Sequence, residues 1–305
     1  MKKTALFGLA AILFSYLAWG QSFTAAPPLE KSLLWEISGN GLKKSSYLYG
    51  TIHMIGKEDF FLTDETKSVF EKSDQVVFEI DMEEMNNIFV QFNLLMDLLM
   101  EDGKTLKDLL SKEDYKLVEA HFEEVGLPMM FLERIKPLFL SVFASGDISQ
   151  EGFASGEVVS YEMEFMEMAQ EGKKEIEGLE TIEFQMSLFD SIPYQAQAEM
   201  LVESIKAEAD SSNSEADFKS LVEIYKKQDL EAMQSTVDDS DAMTSEYESM
   251  LLSNRNTSWI SIMSKMMNKK SCFFAVGAAH LGGREGVIAL LREQGYTLTP
   301  LHRQP

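Results

Sequence analysis

Cysteine, histidine and basic residues are scarce in this chain. Of its 305 residues, one is cysteine, four are histidine and 27 are lysine or arginine, against 50 aspartates and glutamates. The lone cysteine, Cys272, cannot form an intramolecular disulfide, and its apolar neighbours indicate a small buried hydrophobe rather than a nucleophile. The formal net charge of −23 repels nucleic acid and anionic lipid, so we expect no nucleic-acid partner.

Motifs of several common enzyme classes are absent as well. The chain has no phosphate-binding P-loop, no convincing dinucleotide fingerprint, no His-Glu-x-x-His and no Gly-x-Ser-x-Gly. Nucleotide-dependent enzymes, zincin proteases and serine hydrolases therefore have no support in the sequence.

Residues 1–20 have the pattern of a secretory signal peptide. Lys2 and Lys3 give a basic start, Ala5 to Ala18 is almost wholly apolar, and Ala18-Trp19-Gly20 offers a cleavage site before Gln21. An uncleaved N-terminal anchor is the alternative. No later segment has the apolar length of a membrane-spanning helix. We therefore expect an exported protein, periplasmic or extracellular, with no stable membrane span after cleavage.

Strand patterns occur near both ends of the chain, and residues 83–250 between them are mainly helical and acidic. The predicted strands are Leu33–Ser38, Ser46–His53, Gln75–Asp81, Ser271–Val276 and Tyr296–Leu301. The first two are joined around Asn40-Gly41, a strong hairpin signal. We expect an α/β fold in which residues 21–305 form one domain. Its central mixed β-sheet is built from the N- and C-terminal regions and flanked by helices, with a large, mainly helical middle segment.

Helical periodicity and capping residues define the predicted helices. They are Asp64–Lys72, Ser111–Glu124, Phe131–Phe143, Glu157–Gln170, Thr181–Ile192, Tyr194–Asp210, Ala216–Lys227, Glu246–Asn268 and Gly286–Gln294. The helices predicted near the two ends alternate with strands, which is the pattern of a sheet covered by helices.

Two of the four histidines follow an apolar strand and stand three residues after a glycine. The motifs are Gly50-Thr51-Ile52-His53 and Gly277-Ala278-Ala279-His280. A strand end places a side chain at the rim of the sheet, where ligand sites of α/β proteins lie. Because imidazole is the commonest metal ligand and a proton carrier near neutral pH, the pair predicts a metal centre or an acid/base site. The alternative for His53 is a structural histidine bonded to a nearby carbonyl.

His280 is followed by a glycine-rich loop, Leu281-Gly282-Gly283-Arg284-Glu285, that leads into a helix. Backbone amides in such a loop can hold an anionic group or a developing oxyanion. The alternative is that this glycine-rich loop is only a tight turn. The remaining histidines, His121 and His302, are assigned to structure or solvent.

An acidic side chain in a buried strand is the third candidate. Glu79 follows the apolar run Val76-Val77-Phe78, and a buried carboxylate is costly unless it is paired, protonated or bound to a cation. Glu79 is therefore the preferred carboxylate ligand or general base, whereas Asp81 at the strand end can simply cap the next helix. Arg255 is the candidate ion-pair partner of Glu79, and a surface position is its alternative.

In these residues the chain resembles the TraB/GumN family, which is related to the Tiki metalloproteases and more distantly to the erythromycin-esterase and ChaN-like proteins. The matching pieces run in order across most of the chain. They are Leu34-Trp35-Glu36-Ile37, Tyr49-Gly50-Thr51-Ile52-His53, Val77-Phe78-Glu79-Ile80-Asp81, Gly178-Leu179-Glu180-Thr181 with Gln185, Arg255-Asn256, and Val276-Gly277-Ala278-Ala279-His280-Leu281-Gly282. Where such relatives have a Gly-Leu-Asp or Gly-Val-Asp triplet, this chain has Ser160-Tyr161-Glu162, so the glycine is lost and Glu162 replaces the aspartate.

The resemblance implies a central sheet with surrounding helices and a site that uses both histidine motifs. His53, Glu79 and His280 are then the core site residues, with Arg255 close by. Family members of the Tiki type are described as peptidases that depend on a divalent metal such as manganese or cobalt.

Two functions from different classes remain open at this point. The first is an exported, metal-dependent hydrolase, peptidase-like, in which His53, Glu79 and His280 hold a divalent metal (Mn, Co or Zn), Glu79 and Arg255 serve in catalysis, and the substrate is a peptide or a small ester or amide. The second is a non-catalytic module that binds a ligand or a partner on the same fold.

Overall fold

Strands of the computed structural model come from three separate parts of the chain. The structure describes residues 29–84, 87–124, 126–144, 157–210, 214–238, 247 and 249–301; the predicted signal peptide and His302 lie outside these residues. The strands are β1 (Leu34–Gly39), β2 (Ser46–Thr51), β3 (Ile55–Gly56), β4 (Gln75–Ile80), β5 (Val158–Val159), β6 (Glu175–Glu180), β7 (Cys272–Gly277) and β8 (Tyr296–Pro300).

Six of these strands form one mixed sheet in the order β6-β4-β7-β2-β1-β8. The four strands β6, β4, β7 and β2 run parallel, whereas β1 is antiparallel to both β2 and β8. In the loop between β1 and β2, Asn40 and Gly41 have φ values of 45° and 81°, the left-handed pair of a tight turn that the Leu42 N–H closes on the Gly39 carbonyl. The predicted mixed sheet is confirmed, with one edge strand, β6, supplied by the middle of the chain.

Thirteen helices are described. They are α1 (Asp64–Lys72), α2 (Ile88–Asp97), α3 (Leu106–Leu109), α4 (Lys112–Glu124), α5 (Met129–Leu132), α6 (Pro137–Ala144), α7 (Tyr161–Glu171), α8 (Ile182–Asp190), α9 (Tyr194–Asp210), α10 (Ser214–Lys226), α11 (Leu230–Asp238), α12 (Asn254–Met267) and α13 (Val287–Glu293). A π-helical turn, Ser249–Ser253, leads into α12. Two helices at the site are capped by hydroxyls, because Ser160 and Thr181 accept hydrogen bonds from the first turns of α7 and α8.

Helices cover the sheet on both faces. On one face, Phe273 of β7 packs against Phe70 of α1 and Phe165 of α7, with ring centroids 5.1 and 5.0 Å away. Val76 of β4 pairs with Phe273, and since strand side chains alternate between faces, Phe78 points the same way. Glu79 therefore points to the other face, toward α12.

The helical middle segment has a core of its own. Buried side chains of α3 to α6 meet those of α9; the cluster consists of Met100, Leu106, Val118, Phe122, Met129, Leu132, Leu140, Leu201, Val202 and Ile205. The buried ammonium of Lys136 is paired with Asp190 at the end of α8, since a buried charge requires a partner. The middle segment thus packs as a helical cluster next to the sheet.

Three predicted helices differ from the observed elements. In Glu246–Asn268, residues 246 and 248 lie outside the described residues and Ser249–Ser253 is a π-helical turn. The segment Phe131–Phe143 is interrupted, because Pro137 has no N–H to continue a helix and instead begins α6. The start of Glu157–Gln170 is the short strand β5, whose Val158 and Val159 pair with β3. β-Branched residues favour strands, and this small ladder fixes the loop after β2 next to the start of α7.

Helix α2 exposes a row of apolar side chains. It has no buried residue, and five large side chains stand at the surface: Ile88, Phe89, Phe92, Leu95 and Met96. Across the described ranges, no helix combines the length and the apolar content needed to cross a membrane.

Candidate functional site

The two histidine motifs meet at one edge of the sheet. Strands β2 and β7 are parallel neighbours in which Thr51 pairs with Gly277, so both strands end at the same edge of the sheet. His53 follows β2 directly, and His280 closes a short helical turn, Ala278–His280, after β7. The carboxyl ends of β4 and β6 lie at this edge too, which is the usual location of ligand sites in parallel sheets.

The glycines of the two motifs permit close contact. A Cβ added to Gly50 would lie 3.1 Å from the Cα of Ala278, and one added to Gly277 would lie 3.3 Å from Oε1 of Glu79. These separations are shorter than ordinary van der Waals contacts. Glycine therefore lets the two turns pack together and lets the Glu79 carboxylate approach the backbone of β7.

Glu79 is held by three donors. Its Oε1 accepts a hydrogen bond from the Gly277 backbone N–H at 2.9 Å, and its Oε2 accepts from Nη2 of Arg255 at 2.6 Å and from Nε2 of Gln185 at 3.4 Å. The predicted ion pair between Glu79 and Arg255 is thus present. Burial raises the pKa of Glu79, but the charge that His280 takes up in acid and the charge of Arg255 outweigh it and lower that pKa to about 2. Glu79 is therefore ionised at neutral pH.

Arg255 is surrounded by acceptors. Its Nε and Nη2 donate to Glu180, its Nη2 also donates to Glu79, and its Nη1 donates to the Leu251 carbonyl and to Nε2 of His280. A guanidinium has five N–H groups, so all five are engaged. This arrangement favours a role in positioning Glu79 and His280.

The hydrogen bonds of Asn256 determine which nitrogen of His280 carries the proton. The Asn256 Nδ2 donates to the Glu285 carbonyl at 2.9 Å, so its Oδ1 faces Nδ1 of His280, 2.7 Å away. An amide oxygen only accepts, and Nδ1 must therefore be the protonated nitrogen. The Nε2 lone pair is left to face Arg255 and, at 3.7 Å, Oε1 of Glu79.

His280 is neutral in this setting. The side chain is 5% exposed, and the Trp259 ring packs against it at a centroid distance of 4.5 Å. Burial lowers the pKa of His280 to about 4, against the opposing effect of Glu79. A neutral imidazole with a directed lone pair is the form that binds metals and accepts protons.

His53 belongs to a second, more open group. Its Nδ1 lies 3.2 Å from Oε1 of Glu162, which also accepts from Thr51 Oγ1 at 2.6 Å, while Glu162 Oε2 accepts from Ser160 Oγ at 3.1 Å. The imidazole is 73% exposed and the Glu162 carboxylate 15% exposed. The hydrogen bond to Glu162 raises the pKa of His53 above its usual value. A carboxylate behind Nδ1 leaves Nε2 directed away from it.

His53 and Glu79 line the same cleft of about 360 Å³, together with Glu162 and Gln185. His280 lies behind this cleft, on the α12 face of the sheet, where it reaches Glu79. Glu79 is therefore the residue that links the open His53 group to the buried His280 group. The structure brings Glu79, Arg255 and His280 into direct contact and places His53 across the cleft.

The donor types at this site, imidazole nitrogen and carboxylate oxygen, are ones that divalent cations accept. An ion about 2.1 Å from each ligand can bridge the 3.7 Å between Nε2 of His280 and Oε1 of Glu79. Arg255 already donates to both groups, and Nε2 has one lone pair, so an ion at His280 would have to displace the hydrogen bond from Arg255. Over the part of the chain that the structure describes, no three His, Cys, Asp or Glu side chains form a group that could hold a metal ion.

Sequence reasoning selected His53, Glu79, His280 and Arg255 but not their supporting residues. Glu180 lies on β6, which the sequence pattern did not predict, and the amide of Asn256 looks like an ordinary polar residue on a helix. Both residues lie within the sequence pieces that match the family, and this match is the signal that could have identified them.

The fold and the site define an α/β protein with a buried Glu-His-Arg cluster and a second histidine at the carboxyl edge of its parallel strands. The chain belongs to the TraB/PrgY/gumN family, whose model matches residues 33–300. No solved structure matches the chain.

Three curated relatives carry the name metalloprotease. Metalloprotease TIKI1 of Danio rerio is 24% identical in an alignment that covers 90% of this chain and 65% of the relative. Metalloprotease TIKI2 and metalloprotease TIKI1 of Xenopus tropicalis are 23% and 22% identical, covering 87% and 89% of this chain. The chain spans 59% and 62% of the lengths of these two relatives.

Proposed function

We propose that this protein is a metal-dependent hydrolase that acts on peptides. The observation that carries the proposal is the convergence of Glu79, the Nε2 lone pair of His280 and the exposed His53 at one edge of the sheet. Family membership and the names of the TIKI relatives support the same reaction class.

His53, Glu79 and His280 would hold the cation. When bound, a divalent metal supplies an activated water and polarises the bond to be cleaved. Asn256 keeps Nδ1 of His280 protonated, as outer hydrogen bonds do for metal-binding imidazoles, and Nε2 would bind the ion in place of its hydrogen bond from Arg255. Arg255 keeps Glu79 ionised and in place, and Glu162 orients the ring of His53. Manganese, cobalt and zinc all accept such nitrogen and oxygen donors.

Cleavage of a peptide library is the direct test. The purified protein is assayed with added Mn²⁺, Co²⁺ or Zn²⁺, with and without a chelator. We expect turnover that chelation abolishes, that Glu79→Gln lacks and that Glu36→Gln, a substitution on β1 outside the site, retains. Turnover that persists in the chelator or in Glu79→Gln would overturn the proposal.

A non-catalytic binding module is the second candidate. The observation in its favour is the lack, within the described residues, of a ready three-residue metal group. Tight binding of a ligand without turnover under any of the three metals supports the module. Cleavage of small esters with no cleavage of peptides would instead show that the substrate is an ester and not a peptide.

We also propose export, on the strength of the pattern in residues 1–20. Intact-mass measurement of protein from a secreting host tests it. We expect a mature chain that begins at Gln21, and a cell-retained chain that still carries Met1 to Gly20 would contradict export.

A further inference from the structure

The cleft next to His53 and Glu79 has mostly apolar walls. Its volume is about 360 Å³, and its large apolar lining residues are Met54, Phe78, Ile80, Met82 and Met163. Phe78 is buried, whereas Met163 at the start of α7 is 48% exposed. The cleft therefore has a closed apolar wall on the sheet and a methionine at its rim.

The carboxylates in this cleft are already engaged. Glu79 accepts from Gly277, Arg255 and Gln185, and Glu162 accepts from Thr51, Ser160 and His53. A lysine or arginine side chain of a ligand would have to displace these donors, and an acidic side chain would meet two carboxylates and would have to compete with Glu162 for His53. Both would also lose hydration in an apolar pocket. The polar groups thus disfavour a charged occupant.

The size of the cleft restricts the occupant as well. Ligand pockets of proteins range over about 300–1,000 Å³, so 360 Å³ suits one or two residues of an extended chain. Methionine side chains are flexible and polarisable, and surfaces rich in them accept several apolar shapes. Three methionines in the lining indicate tolerance among large apolar side chains.

We propose that this cleft is the subsite for one bulky apolar side chain of the substrate, such as leucine, methionine or phenylalanine. The side chain enters between Met163 and Met82 and lies against Phe78, which places the adjoining backbone beside His53 and Glu79. This inference rests on the proposed peptide hydrolysis, because the occupant is a side chain of the substrate. Binding at the cleft itself requires neither metal nor turnover.

Methyl NMR measures the binding directly. Metal-free protein labelled at the methionine methyl groups is titrated with the N-acetyl amides of leucine, methionine, phenylalanine, alanine, aspartate and lysine. Single Met→Leu substitutions assign the signals of Met54, Met82 and Met163. We expect the three large apolar amides to shift these signals, with affinity at least about tenfold above that of the aspartate or lysine amides.

A matched pair of variants locates the site. Met163→Glu introduces a charge at the rim and should weaken leucine-amide binding at least about tenfold. Met130→Glu is the control, because Met130 on α5 is 77% exposed and does not line the cleft. Equal binding by wild type and Met163→Glu would overturn the proposal, and so would shifts confined to methionines outside the cleft.

Two further outcomes separate this inference from the proposed function. Metal-dependent cleavage of peptides with no preference for a large apolar residue would refute the apolar subsite and leave the hydrolase standing. Apolar amides that bind at the cleft of a protein inactive under every metal would refute the hydrolase and support the subsite.

Discussion

At the scale of single residues, Arg255 connects the parts of the site. It is 10% exposed, and its carboxylate partners Glu79 and Glu180 are 15% and 4% exposed. Glu180 also accepts from the Trp259 indole at 2.7 Å. One guanidinium thus pairs with two carboxylates that lie largely out of water, and without it both would be buried charges with no cationic partner in the pair.

Arg255→Leu should therefore lower the free energy of unfolding by about 3–5 kcal/mol, the usual cost of breaking a buried ion pair. Chemical denaturation at neutral pH measures it. Arg292→Leu is the control, since Arg292 is 42% exposed. Adding Glu180→Gln to Arg255→Leu should restore part of the loss. A loss below about 1 kcal/mol, the range of surface pairs, would show that Arg255 does not form buried ion pairs with Glu79 and Glu180.

Asn256 is the residue whose effect on chemistry is least visible in the sequence. Replacing it with leucine removes the acceptor for Nδ1 of His280 and leaves a proton on that nitrogen buried without a partner, so only the Arg255 donor at Nε2 still favours this tautomer. Nitrogen NMR of metal-free protein should show His280 protonated at Nδ1 alone in the wild type and a mixture of tautomers in Asn256→Leu. Asn268→Leu, at the end of α12, should keep the wild-type signals. A wild-type His280 protonated at Nε2 would contradict the assignment.

At the scale of elements, the sequence predicted the strands that alternate or are strongly apolar and missed β6. The strand β6 has the sequence Glu-Ile-Glu-Gly-Leu-Glu, which carries three charges and a glycine, and strand formers are few in it. It pairs with β4 alone at the sheet edge, so its stability comes from tertiary pairing. The helix interruption before Pro137 has a local cause, the missing N–H of proline, and it could have been predicted from the sequence.

The pairing of β6 with β4 depends on a glycine. Gly178 pairs with Phe78, and a Cβ added there would overlap the Asp81 backbone nitrogen and lie 2.9 Å from the Ile80 carbonyl carbon. Gly178→Ala should push the strand ends apart and cost about 1–3 kcal/mol, as overpacking does. Gly56→Ala is the control, because its nearest atoms belong to the flexible Glu58 side chain. Equal unfolding midpoints for the two variants would refute the close approach.

The site itself was predictable in part. The strand-end rule located His53, Glu79 and His280 at one edge, because parallel strands carry their carboxyl ends together. Which face of the sheet each side chain occupies depends on register, and only the structure shows that His280 is buried behind Glu79 while His53 is exposed beside Glu162. The resemblance left the role of Glu162 undecided, and its contact with His53 is a product of the β3–β5 ladder.

At the scale of the whole molecule, the buried site couples folding to pH. Histidine in an unfolded chain takes up a proton near pH 6.5, whereas burial lowers the pKa of His280 in the folded protein to about 4. Between these values the unfolded state binds more protons, so the free energy of unfolding decreases as the pH falls from about 6.5 to 4. Glu79, whose pKa is about 2, extends the decrease below its unfolded value of about 4.3.

Denaturation at pH 7.5 and pH 4.5 tests this coupling. We expect the wild type to lose on the order of 2–3 kcal/mol between the two values through His280 and His280→Gln to lose correspondingly less. His53→Gln should leave the acid loss in place, because His53 has a raised pKa and its contribution is present at low pH and lost as the pH rises. Identical acid losses in wild type and His280→Gln would contradict a buried, neutral His280.

Metal stoichiometry is the measurement that bears most directly on the metal site proposed at His53, Glu79 and His280. The purified protein is stripped, incubated with Mn²⁺, Co²⁺ or Zn²⁺, freed of excess metal and analysed for bound metal. We predict about one ion per chain in the wild type and in His121→Gln. Each of His53→Gln, Glu79→Gln and His280→Gln should weaken binding at least about tenfold while keeping the far-ultraviolet circular dichroism of the wild type. Full metal occupancy in the folded double variant of His53 and His280, or no bound metal in the wild type, would contradict the account.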